Sequence, residues 1–251
     1  MVFRLLSVLV VLGCSAETRG AADSAARAQT ETTSRTGTSV SVDSAVSEGS
    51  RVSAGSNREP VRVLFFGTSL TAGYGLDPSQ AFPNLIQKKS ESTSTPIVAI
   101  NAGLSGETSA GAVRRIDWAM RSPVDIVVLE TGGNDALRAL DPDSLEANIT
   151  AAVVRIRALQ PKARILLAVM EAPPNLGPRY TARFRKAYSN VAKRENLTLV
   201  PFLLDKVAGK AELNQADGVH PNDLGEPIVA DNVWKVLQPV VREVYLTRAS
   251  G

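Results

Sequence analysis

The 251 residues include one histidine, His220, and one cysteine, Cys14. A lone cysteine cannot close an internal disulfide, and a single histidine beside it cannot build a Cys/His zinc cluster. The spacing of Asp and Glu fits no calcium loop, so neither a metal nor another cofactor is implied. Aromatic residues make up 5% of the chain, too few to suggest an aromatic-lined sugar cleft. Lysine and arginine form no run, and the formal net charge is only +3, which argues against a nucleic-acid partner. The N-terminal apolar run, residues 5–12, is too short to cross a bilayer as a helix. What is present is the composition of a soluble fold with a sizeable core: 44% hydrophobic and 21% charged residues, enough chain for one or two domains.

The N-terminus is expected to be a targeting segment. Arg4 supplies positive charge, residues 5–12 an apolar stretch, and Val11-Leu12-Gly13-Cys14 resembles a bacterial lipobox, in which the cysteine is lipidated. Residues 1–14 are thus expected to direct export, with Cys14 as a membrane anchor at the periplasmic or cell-envelope face. Residues 15–60 contain no Leu, Ile or aromatic side chain. Such a stretch cannot bury enough apolar surface to offset its chain entropy, so it is expected to be a disordered tether.

From Val61 the texture changes. Apolar runs at 61–66, 97–100, 125–130, 164–170 and 197–200 read as buried strands. Helical patterns at 82–89, 110–120, 145–159, 180–195 and 227–245 separate or follow them, with Asp141, Pro142, Asp143 and Ser144 as cap residues before the third and Pro161 as its stop. Near-continuous apolar strands alternating with helices predict a parallel sheet covered on both faces over residues 61–248. The site of such a sheet lies beyond the carboxyl ends of its strands.

Four polar clusters fall at that rim. Gly67-Thr68-Ser69 follows the first strand, Asn101-Ala102-Gly103-Leu104-Ser105-Gly106-Glu107-Thr108 the second, Gly132-Gly133-Asn134-Asp135 the third, and Asp217-Gly218-Val219-His220-Pro221 the fifth after a longer connection. Each alone is a plausible plain turn. Together they hold what acyl transfer needs: a hydroxyl at Ser69, an imidazole base at His220, an acid at Asp217, and donors at the Ser69 N–H, the Gly106 N–H and the Asn134 amide.

These four ordered blocks resemble those of the SGNH, or GDSL-type, hydrolases, in particular the secreted branch of arylesterases, acyl-CoA thioesterases and lysophospholipases. The resemblance covers residues 61–242. It implies a flavodoxin-like three-layer α/β/α sandwich with a five-stranded parallel sheet. It also implies Ser69 as nucleophile, His220 as base, Asp217 as its orienting acid, and Ser69, Gly106 and Asn134 as the oxyanion hole. One position departs from the family: Thr68 stands where an Asp usually precedes the nucleophile, which puts the order of that loop in question. The stretch 171–180 resembles the branch's substrate loop, with Pro174, Asn175 and Leu176 as candidate acyl-groove residues. Trp118 and Trp234, on amphipathic helices, are expected in the core, and Glu107 and Asp135 are expected to cap or orient loops.

The expected function is an exported serine esterase acting on aryl and short- to medium-chain acyl esters, with thioesters and lysophospholipids as further substrates, through an acyl-enzyme. A carbohydrate O-deacetylase of the same fold is the alternative. A non-catalytic, tethered binding lipoprotein is a third reading, but it requires neither Ser69 nor His220.

Overall fold

Residues Val61–Gly67 form β1, an interior strand of a five-stranded sheet, and their side chains explain why both sheet faces are covered. Phe65 meets Phe82 edge to face at 5.7 Å on one side, while its neighbour Phe66 lies under the Arg115 guanidinium at 4.3 Å on the other. Successive strand residues point to opposite faces, so two adjacent buried aromatics require two helical layers. A computed structural model describes residues 59–248; the expected signal segment, Cys14 and the tether through residue 58 lie outside the described residues.

Four more strands follow: β2 (Ile97–Gly103), β3 (Ile126–Glu130), β4 (Arg164–Ala168) and β5 (Thr198–Val200). All pair in parallel, in the order β2-β1-β3-β4-β5. The chain leaves β1 toward β2 and leaves β3 toward β4 in opposite directions. Right-handed crossovers therefore place the helices between them on opposite faces. On one face α2 (Phe82–Glu91) packs against α7 (Glu226–Thr247); on the other α3 (Ser109–Ala119), α5 (Pro142–Leu159) and α6 (Gly177–Arg194) pack in succession. The result is the flavodoxin-like α/β/α sandwich, and the gap between the ends of β1 and β3 is its topological switch point.

The expected elements are present with shifted ends. β2 runs three residues past the predicted stop, paired with β1 as far as Gly67 opposite Gly103. It can do so because Gly103 lets α1 (Ser69–Ala72) press close: a Cβ there would sit 2.2 Å from the Ala72 nitrogen. Two short helices were not read as elements from the sequence, α1 and α4 (Gly133–Leu137), because four or five residues carry no periodicity. Asp141 caps α5 as expected, accepting the Asp143 N–H at 3.3 Å. Trp234 is buried, but Trp118 is not: it is 58% exposed. The buried stripe of α3 runs through Ala112 and Ile116, and a residue two positions beyond Ile116 lies well round the helix from it.

On the α2 and α7 face Glu226 opens α7 with a buried carboxyl, and one of its oxygens accepts the Phe82 N–H at 2.8 Å, tying the starts of α2 and α7 together. Burial pushes this carboxyl up from 4.5 to about 8, against the hydrogen bond that lowers it. Between those two values the unfolded chain releases the proton and the folded chain keeps it, so stability falls as pH rises through that window and levels off above it. Glu226→Gln keeps an acceptor without titrating. Thermal melts from pH 5 to 8 should therefore show a clearly flatter decline in Tm for the variant; equal slopes would mean that Glu226 is ionised in the folded protein.

Candidate active site

Ser69 is the first residue of α1, directly beyond the end of β1, and lies 8% exposed at the floor of a cavity. Its Oγ is 2.9 Å from His220 Nε2, across 151 residues of sequence. The other ring nitrogen, Nδ1, is 2.7 Å from Asp217 Oδ2. The three expected groups are thus brought into one hydrogen-bonded line.

The histidine loop is built locally. Asp217 Oδ1 accepts the N–H groups of Val219 at 2.9 Å and of His220 at 3.0 Å, and Gly218 turns the chain at φ 68°. The His220 ring, then these backbone donors, hold the Asp217 carboxyl down to about 2, so it is a carboxylate at any ordinary pH. Gln215 fastens the loop: its N–H donates to the His220 carbonyl at 2.8 Å, and its side-chain amide donates to the carbonyls of Pro221 at 2.9 Å and Tyr74 at 2.7 Å. The Tyr74 ring lies 4.7 Å from the imidazole, centroid to centroid.

The donor side is tied together more deeply. Leu104 to Glu107 form a turn closed by the Glu107 N–H on the Leu104 carbonyl, with Gly106 third at φ 78°, the position that calls for glycine. Three side chains from α4 and its end grip this segment. Asn134 Nδ2 donates to the Glu107 carbonyl at 3.0 Å, and Arg138 donates to the Gly106 carbonyl at 3.0 Å. Asp135, buried, accepts the Ser109 N–H at 2.8 Å and its hydroxyl at 2.5 Å. Each amide NH₂ has two hydrogens, so Asn134 keeps one for the cavity. Glu107 forms a two-pronged ion pair with Arg115, at 2.8 and 2.7 Å. Glu107 and Asp135 therefore hold loops, as expected.

The cavity measures about 560 Å³. Its lining is mostly apolar, with Leu137, Met170, Ala172, Pro173, Phe202 and Leu204 prominent. Of the three candidate acyl-groove residues in the expected substrate loop, Pro174 lines it. Asn175 is exposed, and Leu176 turns instead to pack on the core from the short 3₁₀ turn Pro174–Leu176. Residues 170–173, just before that turn, take the wall position together with Pro174.

Residues 65–227 match the model of the GDSL-like Lipase/Acylhydrolase family. The chain belongs to that family. It is a carboxylic ester hydrolase. Esterase TesA of Pseudomonas aeruginosa is 39% identical over 181 residues, 71% of this chain and 89% of that protein. Thioesterase 1/protease 1/lysophospholipase L1 of Escherichia coli is 34% identical over 180 residues, 71% and 84% of the two chains. The crystal structure of the psychrotrophic esterase EstA from Pseudoalteromonas sp., inhibited by monoethylphosphonate, superposes with a TM-score of 0.68 at 34% identity, covering 72% of this chain and 98% of that one.

The departure at Thr68 from the GDSL pattern has a physical setting that the sequence did not reveal. Beneath the turn that carries Ser69 lies Glu130, the last residue of β3, 1% exposed. It accepts the Thr68 N–H at 2.7 Å, the Thr68 hydroxyl at 3.0 Å and the Thr71 hydroxyl at 2.9 Å. Burial raises its carboxyl above the ordinary value, and these donors pull it back. Thr68 thus supplies a donor, where an aspartate in the same rotamer would set a second carboxylate against Glu130. Gly67 leaves the room: a Cβ there would meet Thr71 Oγ1 at 2.0 Å and Glu130 Oε2 at 2.5 Å. Glu130, Gln215, Tyr74 and Arg138 were all missed from sequence; the one available signal was an acid ending an otherwise apolar strand.

Replacing Glu130 tests this arrangement. Glu130→Ala leaves a buried N–H and two hydroxyls facing a void, a loss of roughly 3 kcal/mol or more. Glu130→Gln fills the space and keeps an acceptor. We expect the Ala variant to melt several degrees lower and to lose most of its esterase kcat, with the Gln variant much nearer wild type in both. Equal behaviour of the two variants would refute the role of Glu130 as an anchor of the turn.

Proposed function

We propose that this hydrolase is an exported serine esterase that works through an acyl-enzyme on Ser69. The observation that carries the reading is the line from Ser69 Oγ through His220 to Asp217, with Ser69 and His220 in the lining of an apolar cavity. As Oγ attacks the ester carbonyl carbon, His220 Nε2 takes the hydroxyl proton. The carbonyl oxygen becomes an oxyanion held by the Ser69 and Gly106 N–H groups and the free amide hydrogen of Asn134. Asp217, kept ionised by its hydrogen bonds, fixes the ring tautomer and stabilises the imidazolium. Collapse of the intermediate returns the proton to the departing alcohol or thiol. Water then repeats the sequence in reverse roles, releasing the carboxylic acid and free Ser69.

The substrates proposed are aryl and short- to medium-chain acyl esters, together with thioesters and lysophospholipids. The cavity supports an acyl chain rather than a sugar ring: its lining is dominated by aliphatic and proline side chains, with Tyr74 and Phe202 its aromatics. Names of relatives point the same way, since one is an esterase and another a thioesterase and lysophospholipase. The carbohydrate deacetylase reading has no feature of the cavity in its favour.

A fluorophosphonate probe should label the protein once, and Ser69→Ala should abolish both label and turnover. The Ser69→Ala/His220→Ala double variant should turn over scarcely more slowly than either single variant, because the groups act as a unit. Labelling that survives in Ser69→Ala, or a His220→Ala enzyme with most of its rate intact, would place the chemistry elsewhere.

Export and anchoring are part of the proposal and rest on Arg4, the apolar residues 5–12 and Cys14. A tether of 46 residues, 15–60, at about 5–6 Å × √n reaches on the order of 40 Å, enough to hold the enzyme clear of lipid headgroups. Cys14→Ser should release the protein from the membrane fraction or stall its processing; unchanged lipid labelling and fractionation would exclude the anchor.

A further inference from the structure

A second groove, of about 590 Å³, opens beside the Ser105–Gly106 turn and shares those two residues with the catalytic cavity. Its character is the reverse of the first. Arg114 and Arg115 of α3 and Arg138 at the end of α4 line it, with Glu107 as the sole acid and Trp118 as the sole aromatic ring in its wall. Arg115 is neutralised by Glu107. Arg138 gives one N–H to the Gly106 carbonyl and pairs with no carboxylate among the described residues. Arg114 is exposed, with neither ion pair nor hydrogen bond among them. Trp118, off the buried stripe of α3, leaves 58% of its surface open beside these cations.

The position of this groove gives it a use. An ester carbonyl seated at Ser69 with its oxygen on the Gly106 N–H has two substituents, and the Ser105–Gly106 turn lies between the two depressions. With the acyl chain in the apolar cavity, a long leaving group that crosses the turn meets the arginines. Guanidinium groups free of carboxylate partners suit the oxygens of a phosphate, and an exposed indole suits a flat or cationic group next to it. We propose that this groove is the leaving-group subsite for phosphate-bearing acyl esters and thioesters, with the phosphate on Arg114 and Arg138 and the remainder of the leaving group over Trp118. The proposal rests on the esterase reading of Ser69 and adds the recognised half of the substrate. Two sources share the required chemistry, a coenzyme A thioester and a lysophospholipid.

The test compares p-nitrophenyl octanoate, octanoyl-CoA and octanoyl-lysophosphatidylcholine as substrates of the full chain, Arg114→Gln, Trp118→Ala, and Arg121→Gln as a control for lost positive charge at another exposed site. Loss of a charge-assisted hydrogen bond at a partly screened position should lower kcat/KM about three- to tenfold on a phosphate-bearing substrate, mainly through KM. For Arg114→Gln and Trp118→Ala that loss should appear with octanoyl-CoA, the lysophospholipid or both. Nitrophenyl octanoate, which has no phosphate, should stay within about twofold and so also report correct folding, and Arg121→Gln should match wild type on all three. Loss with octanoyl-CoA alone identifies a nucleotide leaving group, loss with the lysophospholipid alone a headgroup, and loss with both the shared phosphate. Equal losses on all three substrates, no loss on any, or a wild type that cleaves only nitrophenyl octanoate would overturn the subsite while leaving the esterase reading intact. A wild type inert on nitrophenyl octanoate and unlabelled by fluorophosphonate would overturn the esterase reading instead.

Discussion

Glu130 ends β3 with its carboxyl out of contact with solvent, directly under the turn that carries Ser69, and a carboxyl in that position must be satisfied by its neighbours. The neighbours that satisfy it are the Thr68 N–H and the hydroxyls of Thr68 and Thr71, which flank Ser69 on both sides. The bond between strand and turn therefore works both ways. The donors relieve the desolvated carboxyl, and the carboxyl fixes the turn so that Ser69 opens α1 at the switch point. Gly67 is part of the same constraint, since any side chain there would occupy the space of the Glu130 and Thr71 oxygens. The contact between Ser69 Oγ and His220 Nε2 presupposes this turn.

The two flanks of Ser69 are held by different means. On the donor side, Asn134, Asp135 and Arg138 take three hydrogen-bonded grips on residues 106–109, and Asp135 does so from a buried position where competition with water is weak. On the histidine side, the Asp217 carboxylate is partly open to solvent, so its geometry depends on short-range closure: two backbone N–H bonds within its own loop and the Gln215 brace to Tyr74 and Pro221. A preorganised donor wall facing a more exposed base is a workable division. In the proposed mechanism the oxyanion develops where reorganisation would be costly, while the proton carrier sits where substrate and water can reach it. The apolar cavity and the arginine-lined groove divide on the same Ser105–Gly106 turn, which thereby separates two kinds of chemistry on either side of one backbone N–H.

Most of the sheet could be read from the chain. Runs such as Val63 to Phe66 and Ile126 to Leu129 are apolar throughout because both of their faces are buried, and that pattern needs no partner to be recognised. Strand ends were less legible. β2 continues through Asn101-Ala102-Gly103 because β1 continues beside it, and β4 stops at Ala168, two residues short of the end of its apolar run. Helix α3 carries the instructive miss: Trp118 looks like core by hydrophobicity alone, yet the buried stripe through Ala112 and Ile116 passes it by. In the substrate loop, Pro174 faces the cavity while Leu176 turns to the core, a choice made by a 3₁₀ turn that leaves no periodic trace.

By itself, then, the sequence determined the class of the protein and the members of its proposed site. Alternating buried strands and amphipathic helices specify a doubly covered parallel sheet, and Ser69, Gly106, Asn134, Asp217 and His220 stand in recognisable blocks at its strand ends. Only the tertiary structure decided what holds them there. Glu130 meets Thr68 across 62 residues, Arg115 reaches back 48 to the Gly67 carbonyl, and Gln215 ties to Tyr74 across 141. Such contacts depend on strand order and on which way each side chain turns, and no local spacing encodes either. A polar residue in a one-dimensional string looks alike whether it faces water or a buried partner; the fold separates the two, because only there does burial make the partner obligatory.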